Sequence, residues 1–407
     1  MKKTFLFVLI MIFAFCIGAV YAEGETPVSN NEDVSADELL RMGREAQDAE
    51  DYQKAMEYFQ SAAEKGNAEA LFHIGKLYMN GSGADQSYEK ALEYYQRGAD
   101  LGDSSGYTGL AWLYQNGFGV EQSWDKAFEF WQLAADQDNA AALNNLGWMY
   151  YTGSGVEQSY EKALDYYQRA ADMDTADSLY NLGYMYYTGT GVEQSYEKSL
   201  EYFQRAADLD HQNALYVLGL MYYTGTGVEQ SYEKALEYYQ RAADMDNANA
   251  LFDLGQMYYI GSGVEQSYEK ALEYYQRAAD QGSPGAMNNV GYMYELGEGV
   301  VQSYEKALEY YQHAADLGSP TAYIGLGDLY ADGHGVEQSY DKALEYYQTA
   351  ADLGEVYGLI RLGGLYENGY GVEQSYDKAL EYYQQAADQG SAEAAEALDR
   401  LLSGTRD

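Results

Sequence analysis

The chain has 407 residues, with 24 Lys+Arg against 65 Asp+Glu and a formal net charge of −41. Phosphate backbones and anionic lipid heads repel such a polyanion, which argues against nucleic acid and membrane-surface partners. Its single cysteine, Cys16, lies in an apolar N-terminal run, so the remaining chain has no disulfide, thiol nucleophile or cysteine metal ligand.

Residues 1–22 read as a secretory signal. Lys2 and Lys3 give a basic start, residues 4–20 are almost wholly apolar, and Val20 and Ala22 stand at the −3 and −1 positions of a cleavage site. An uncleaved N-terminal anchor is the alternative, because the run is longer than most signal cores but short of a comfortable span. Bulky Phe15 before Cys16 argues against lipidation. No later segment is apolar enough to cross a bilayer, so a chain cut after Ala22 is expected without a membrane span, in the periplasm or outside the cell. Residues 23–34 read as an acidic flexible linker.

From residue 35 the chain repeats itself. The lysine of an aromatic-Glu/Asp-Lys-Ala/Ser pattern recurs at Lys90, Lys126, Lys162, Lys198, Lys234, Lys270, Lys306, Lys342 and Lys378, always 36 residues apart, and Lys54 is a tenth copy. Each period holds two helical patterns. In 232–244, Tyr232, Ala235, Leu236, Tyr239, Ala242 and Ala243 fall on one arc of about 120°, with polar residues opposite. In 248–259, Leu251, Leu254, Gly255 and Tyr258 share a face. Gly255 weakens a helix interior by about 1 kcal/mol, which implies the close approach of a partner helix.

Side-chain caps are expected before the first helix of each unit at Asn67, Asp103, Asn139, Thr175, Asn247, Ser283, Ser319 and Ser391, with His211 and Glu355 weaker. Gly66, Gly102, Gly282, Gly318, Gly354 and Gly390 suit the left-handed stop of the preceding helix, which Asp138, Asp174, Asp210 and Asp246 tolerate less well. Between the helices of a unit lies Gly-x-Gly-Val, as Gly225-Thr226-Gly227-Val228. No Gly-Lys-Ser/Thr follows it and no strand precedes it, so a tight turn with a buried valine plug is expected rather than a phosphate cradle.

Together these elements resemble the Sel-1-like repeat, a relative of the tetratricopeptide repeat. Leu251-Phe252-Asp253-Leu254-Gly255-Gln256-Met257-Tyr258 carries the first part of that pattern, and Gly261-Ser262-Gly263-Val264 through Ala278-Ala279 the rest. Residues 35–66 look like a plainer tetratricopeptide-like first repeat without the Gly-x-Gly loop. Nine Sel-1-like repeats occupy 67–390, and 391–407 supply a capping helix and tail. The resemblance implies an all-α fold, a right-handed superhelical α-solenoid of about ten helix-turn-helix repeats whose first helices line the concave surface. It also implies protein–protein contact and envelope processes in exported bacterial proteins.

No enzyme is expected. Ser-x-x-Lys, as Ser231 and Lys234, recurs nine times, each at a helix start where serine caps and lysine joins the polar arc. The Ser-Asp-Asn and Lys-Thr-Gly elements that accompany it in penicillin-binding enzymes do not occur. His73, His211, His313 and His334 are scattered singly, and Asp244-x-Asp246 meets Ala248 where a third oxygen ligand belongs. Catalytic residues, metal and cofactor are all expected to be absent.

What varies between copies is the first helix, at positions spaced i, i+4 and i+7 on one stripe. The candidate binding residues there are Trp112, Trp148, Tyr151, Tyr180, Tyr184, Tyr187, Tyr216, Tyr223, Phe252, Tyr259 and Tyr292. Two readings stay open: packing between neighbouring first helices, or recognition of a partner by rigid rings. The expected function is a non-catalytic scaffold for a protein or peptide with basic and aromatic segments. A binder of glycan or peptidoglycan fragments is the alternative. Oligomeric state leaves no mark in the sequence.

Overall fold

The computed structural model describes residues 34–404; the expected signal and nearly all of the linker lie outside the described residues. Among the described residues there are 21 helices and no strand. The first helices of the ten repeats are Ala36–Asp48, Ala68–Asn80, Ser104–Asn116, Ala140–Thr152, Ala176–Thr188, Gln212–Thr224, Ala248–Ile260, Pro284–Leu296, Pro320–Asp332 and Val356–Asn368. The second helices are Tyr52–Glu64, Tyr88–Asp100, Trp124–Ala135, Tyr160–Ala171, Tyr196–Asp208, Tyr232–Asp244, Tyr268–Asp280, Tyr304–Asp316, Tyr340–Asp352 and Tyr376–Asp388. Ala392–Ser403 ends the series as an unpaired helix of the first type.

The chain divides into two compact units, one up to Ala170 and one from Ala171. Each is a run of α-solenoid repeats, and the capping helix belongs to the second. No helix among the described residues is long and apolar enough to cross a membrane.

Packing within a repeat follows from small residues facing large ones. The helix Tyr232–Asp244 buries Ala235, Tyr239, Ala242 and Ala243, and its partner Gln212–Thr224 buries Leu215, Leu218, Gly219 and Met221. Full burial of such a large apolar side chain is worth about 1.5–3 kcal/mol. A Cβ added at Gly219 would meet the Tyr239 ring at 2.4 Å, and one at Gly255 would meet Tyr275 at 2.5 Å. The close approach of a partner helix expected at these glycines is made through a buried ring of that helix.

The turn within a repeat needs two glycines. Gly225 and Gly227 have φ of 76° and 71°. A Cβ on Gly227 would lie 2.3 Å from that of Tyr196, in the preceding second helix. Val228 is half-buried, not the buried plug that was expected. Hydrogen bonds close the turn instead: Gln230 Nε2 donates to the Tyr223 carbonyl at 2.8 Å, and Ser231 N to that of Tyr222 at 2.9 Å.

The caps differ in detail from expectation. Asn67, Asp103, Asn139, Asn247, Ser283 and Ser391 accept the expected amide bonds. Thr175 and Ser319 make no side-chain cap, whereas His211 Nδ1 accepts from Ala214 N at 3.1 Å and Glu355 from Tyr357 N at 3.3 Å. The aspartates at left-handed stops have a compensating partner. Asp138, Asp174, Asp210 and Asp246 have φ of 53°, 52°, 54° and 55°. Each pairs with an arginine of the following second helix: Arg169, Arg205, Arg241 and Arg277, at 3.1, 2.9, 3.1 and 3.0 Å. In each case the arginine Nη2 also donates to a carbonyl of the preceding repeat.

Candidate partner-binding face on the first helices

The three variable positions of the first helix have different environments. At the first position the rings are half-buried against a second-helix ring: Tyr180 lies 5.7 Å from Phe203, Tyr216 5.8 Å from Tyr239, and Phe252 5.6 Å from Tyr275. At the third position Tyr151, Tyr187, Tyr223 and Tyr259 are half-buried against Tyr160, Tyr196, Tyr232 and Tyr268, with centroids 5.2–5.5 Å apart. At the middle position the rings of Trp148, Tyr184 and Tyr292 face solvent, 37%, 43% and 45% exposed, whereas Leu220, Gln256 and Asp328 are half-buried. Trp112 departs from this, half-buried with its ring 5.2 Å from Phe118. Trp112, Trp148 and Tyr151 lie in the first unit and the other eight candidates in the second.

Beneath these rings is a floor that the sequence reading passed over. The buried second-helix tyrosines extend their hydroxyls to polar groups on first helices. Tyr275 donates to Gln256 Oε1 at 3.3 Å, Tyr311 to Glu295 at 2.7 Å, Tyr347 to Asp328 at 2.6 Å and Tyr383 to Glu367 at 2.8 Å. Burial pushes the pKa of all four phenols up, so they remain protonated donors. Burial, with the Asp253 carboxyl nearby, also pushes Tyr216 up to about 12. Asp253 is itself raised, because burial disfavours its charge more than the Tyr239 and Tyr216 hydroxyls favour it. The signal for this floor was available in the sequence: Phe59 and Phe203 fill the same register, so packing alone needs no hydroxyl.

The floor changes along the second unit. Towards its end, arginines close it: Arg361 is bidentate to Asp328 at 2.9 and 3.1 Å, and Arg400 to Glu367 at 2.7 and 2.9 Å. Earlier it stays open. Between Ala248–Ile260 and Pro284–Leu296 a pocket of about 160 Å³ is lined by Gln256, Tyr259, Tyr275, Asn289, Tyr292 and Met293. Two candidate residues, Tyr259 and Tyr292, thus share one site. A second apolar series was not anticipated: Leu101, Met173, Leu209, Met245, Leu317 and Leu353 are exposed at the turns that follow second helices.

The serine–lysine motif is occupied structurally. Ser231 Oγ accepts from Lys234 N at 3.3 Å, while Lys234 Nζ lies 4.7 Å from the centroid of the Tyr222 ring. The other eight serines cap in the same way. Among the described residues no group of three or more His, Cys, Asp or Glu side chains is placed to hold a metal ion.

The Sel1 repeat profile matches ten successive segments: 39–67, 68–103, 104–139, 140–174, 176–211, 212–247, 248–283, 284–319, 320–355 and 356–391. The chain belongs to the Sel1 repeat family. Sel1 repeat proteins are typically protein-interaction scaffolds. Among solved structures, an Escherichia coli protein, c5321, is similar at 31% identity and a TM-score of 0.69, over 90% of this chain and 79% of that one. It is described as a protective antigen present in uropathogenic strains and displaying an SLR fold. A Sel1 repeat protein from Oxalobacter formigenes is 29% identical with a TM-score of 0.55, over 60% of this chain and 96% of that one. No curated protein matches the chain.

Proposed function

We propose that this Sel1 repeat protein is an exported, non-catalytic scaffold that holds a partner protein along its first-helix face. The observation that carries the reading is the exposure of aromatic rings at the middle position of that face, above a floor of phenols and carboxylates. Rigid rings offer large contact area at low entropic cost, which favours anchoring of a polypeptide segment. The formal charge of −41 favours a partner with basic residues, steered by long-range attraction and held by local contacts. The apolar N-terminal run and the antigen character of the similar E. coli protein support export.

The test compares the parent chain with a Tyr184→Ser/Tyr292→Ser variant as bait in envelope and culture fractions of the source cells. Proteins retained by the parent and lost by an equally stable variant are the expected result. Retention on purified peptidoglycan, with no protein that distinguishes the two baits, would replace this reading by a glycan-binding one. N-terminal sequencing of the mature protein tests export, with Glu23 expected as its first residue.

A further inference from the structure

We infer that the pocket between Ala248–Ile260 and Pro284–Leu296 takes the side chain of an arginine on the bound partner. The inference rests on the protein-binding reading and names what this one pocket recognises. At about 160 Å³ it has room for a single side chain. Tyr259 and Tyr292 line it beside the buried Tyr275, and aromatic faces attract a guanidinium. The amides of Gln256 and Asn289 add hydrogen-bonding groups to the wall. An amide oxygen that already accepts one bond, as Gln256 Oε1 does from Tyr275, retains a second lone pair.

The charge around the pocket is complementary. Glu298 accepts from the Tyr259 hydroxyl at 2.7 Å, which places a carboxylate beside it. Asp253 acts electrostatically on the Tyr275 phenol, and Glu295 lies one turn beyond Tyr292 on the same helix. Among the described residues, the ion pairs formed by arginine, lysine and histidine leave all three of these carboxylates without a cation.

The same unit also shows how an arginine fits. Arg361 stands 14 residues after Tyr347, and its Nε donates to Asp328 Oδ1 at 2.9 Å, the oxygen that also accepts from the Tyr347 hydroxyl. Asn289 stands 14 residues after Tyr275, in the same register. The short asparagine stands where Arg361 stands two repeats later, and Gln256 stands in the register of Asp328, so a guanidinium from the partner would meet an amide oxygen and a phenol, with the carboxylates outside the lining.

The experiment titrates the full chain, labelled with carbon-13 at its methionine methyls, with N-acetyl-arginine amide and, separately, with N-acetyl-norleucine amide. Met293 lines the pocket and serves as the reporter; Met293→Leu assigns its signal. A saturable Met293 shift with the arginine probe alone is expected. Tyr292→Ser should weaken that binding about fivefold, the loss of one cation–π contact. Asn289→Arg should abolish it, by filling the pocket from within, at an unchanged melting temperature. No saturable shift, or equal binding of the norleucine probe, would overturn the assignment. So would undiminished binding by Tyr292→Ser, which keeps the test decisive if the Asn289→Arg chain is unstable. Because the probe is a single amino-acid derivative, its failure leaves the partner-retention result for Tyr184→Ser/Tyr292→Ser to stand or fall separately.

Discussion

Asp210 and Arg241 illustrate how single residues are coupled across neighbouring repeats. An L-residue at φ 54° is strained, and the 3.1 Å pair with Arg241 offsets part of that strain. Where glycine makes the same stop, at Gly102, Gly282, Gly318 and Gly354, the residue 31 positions on is Leu133, His313, Thr349 or Gln385. Gly66 departs from this pattern, since Arg97 follows it and lies over the Tyr94 ring at 5.1 Å. Asp210→Ala is therefore expected to cost about 1–2 kcal/mol in denaturant unfolding, whereas Asp210→Gly should stay within about 1 kcal/mol of the parent. The sequence exposed the awkward aspartates but not their partners, because a contact between repeats does not appear in local propensity. Asp253 supports a second test. Its raised pKa means the folded state binds a proton more readily than the unfolded chain, so the charged form is penalised. The penalty is present in full above the folded pKa and disappears as pH falls below the ordinary aspartate value of 3.8. Asp253→Asn, the residue found at Asn145, Asn181 and Asn289 in the same register, should raise the melting temperature at pH 7. That gain should vanish towards pH 3.5; a gain that persists there would assign the effect to packing.

At the scale of the helix, small residues set the spacing and large rings fill it. Gly255→Ala improves helix propensity but drives a methyl group into the Tyr275 ring at 2.5 Å. A net loss of about 1–2 kcal/mol is expected, measured by urea unfolding, because overpacking outweighs the propensity gain. Helix type, order and period were all legible in the sequence, since the apolar spacing and the glycine stops point the same way. Side-chain reach was not legible. Periodicity assigns Gly255 to a face without showing that the partner helix meets it with a tyrosine ring. Capping shows the same limit: Thr175 and Ser319 have suitable hydroxyls without making the bond, and His211 makes it through Nδ1. The half-buried Val228 belongs here too, because two glycines and the Gln230 hydrogen bond already hold that turn.

Across the whole molecule, the repeat is the unit of both stability and recognition. Within each unit, helices pack mainly against their neighbours in sequence, so stability should be nearly modular there. Deleting residues 228–263 joins Gly227 to Val264 in register within the second unit, and the helix signal per residue in circular dichroism should be retained. Loss of that signal would show that the repeats are not interchangeable. The family was legible in the sequence from its period and motif, whereas the division of the aromatic stripe was not. Positions i, i+4 and i+7 share a side of any helix, and only the ring across from each decides whether it packs or projects. Tyr187 and Tyr223 pack against Tyr196 and Tyr232, while Tyr184 and Tyr292 project. The most direct measurement therefore sets affinity for a recovered partner beside melting temperature in two double variants, Tyr184→Ser/Tyr292→Ser and Tyr187→Ser/Tyr223→Ser. The first should lose more than about 1 kcal/mol of binding per ring with its melting temperature unchanged, and the second should melt earlier. Parental affinity in a folded Tyr184→Ser/Tyr292→Ser chain would contradict recognition through the first-helix face.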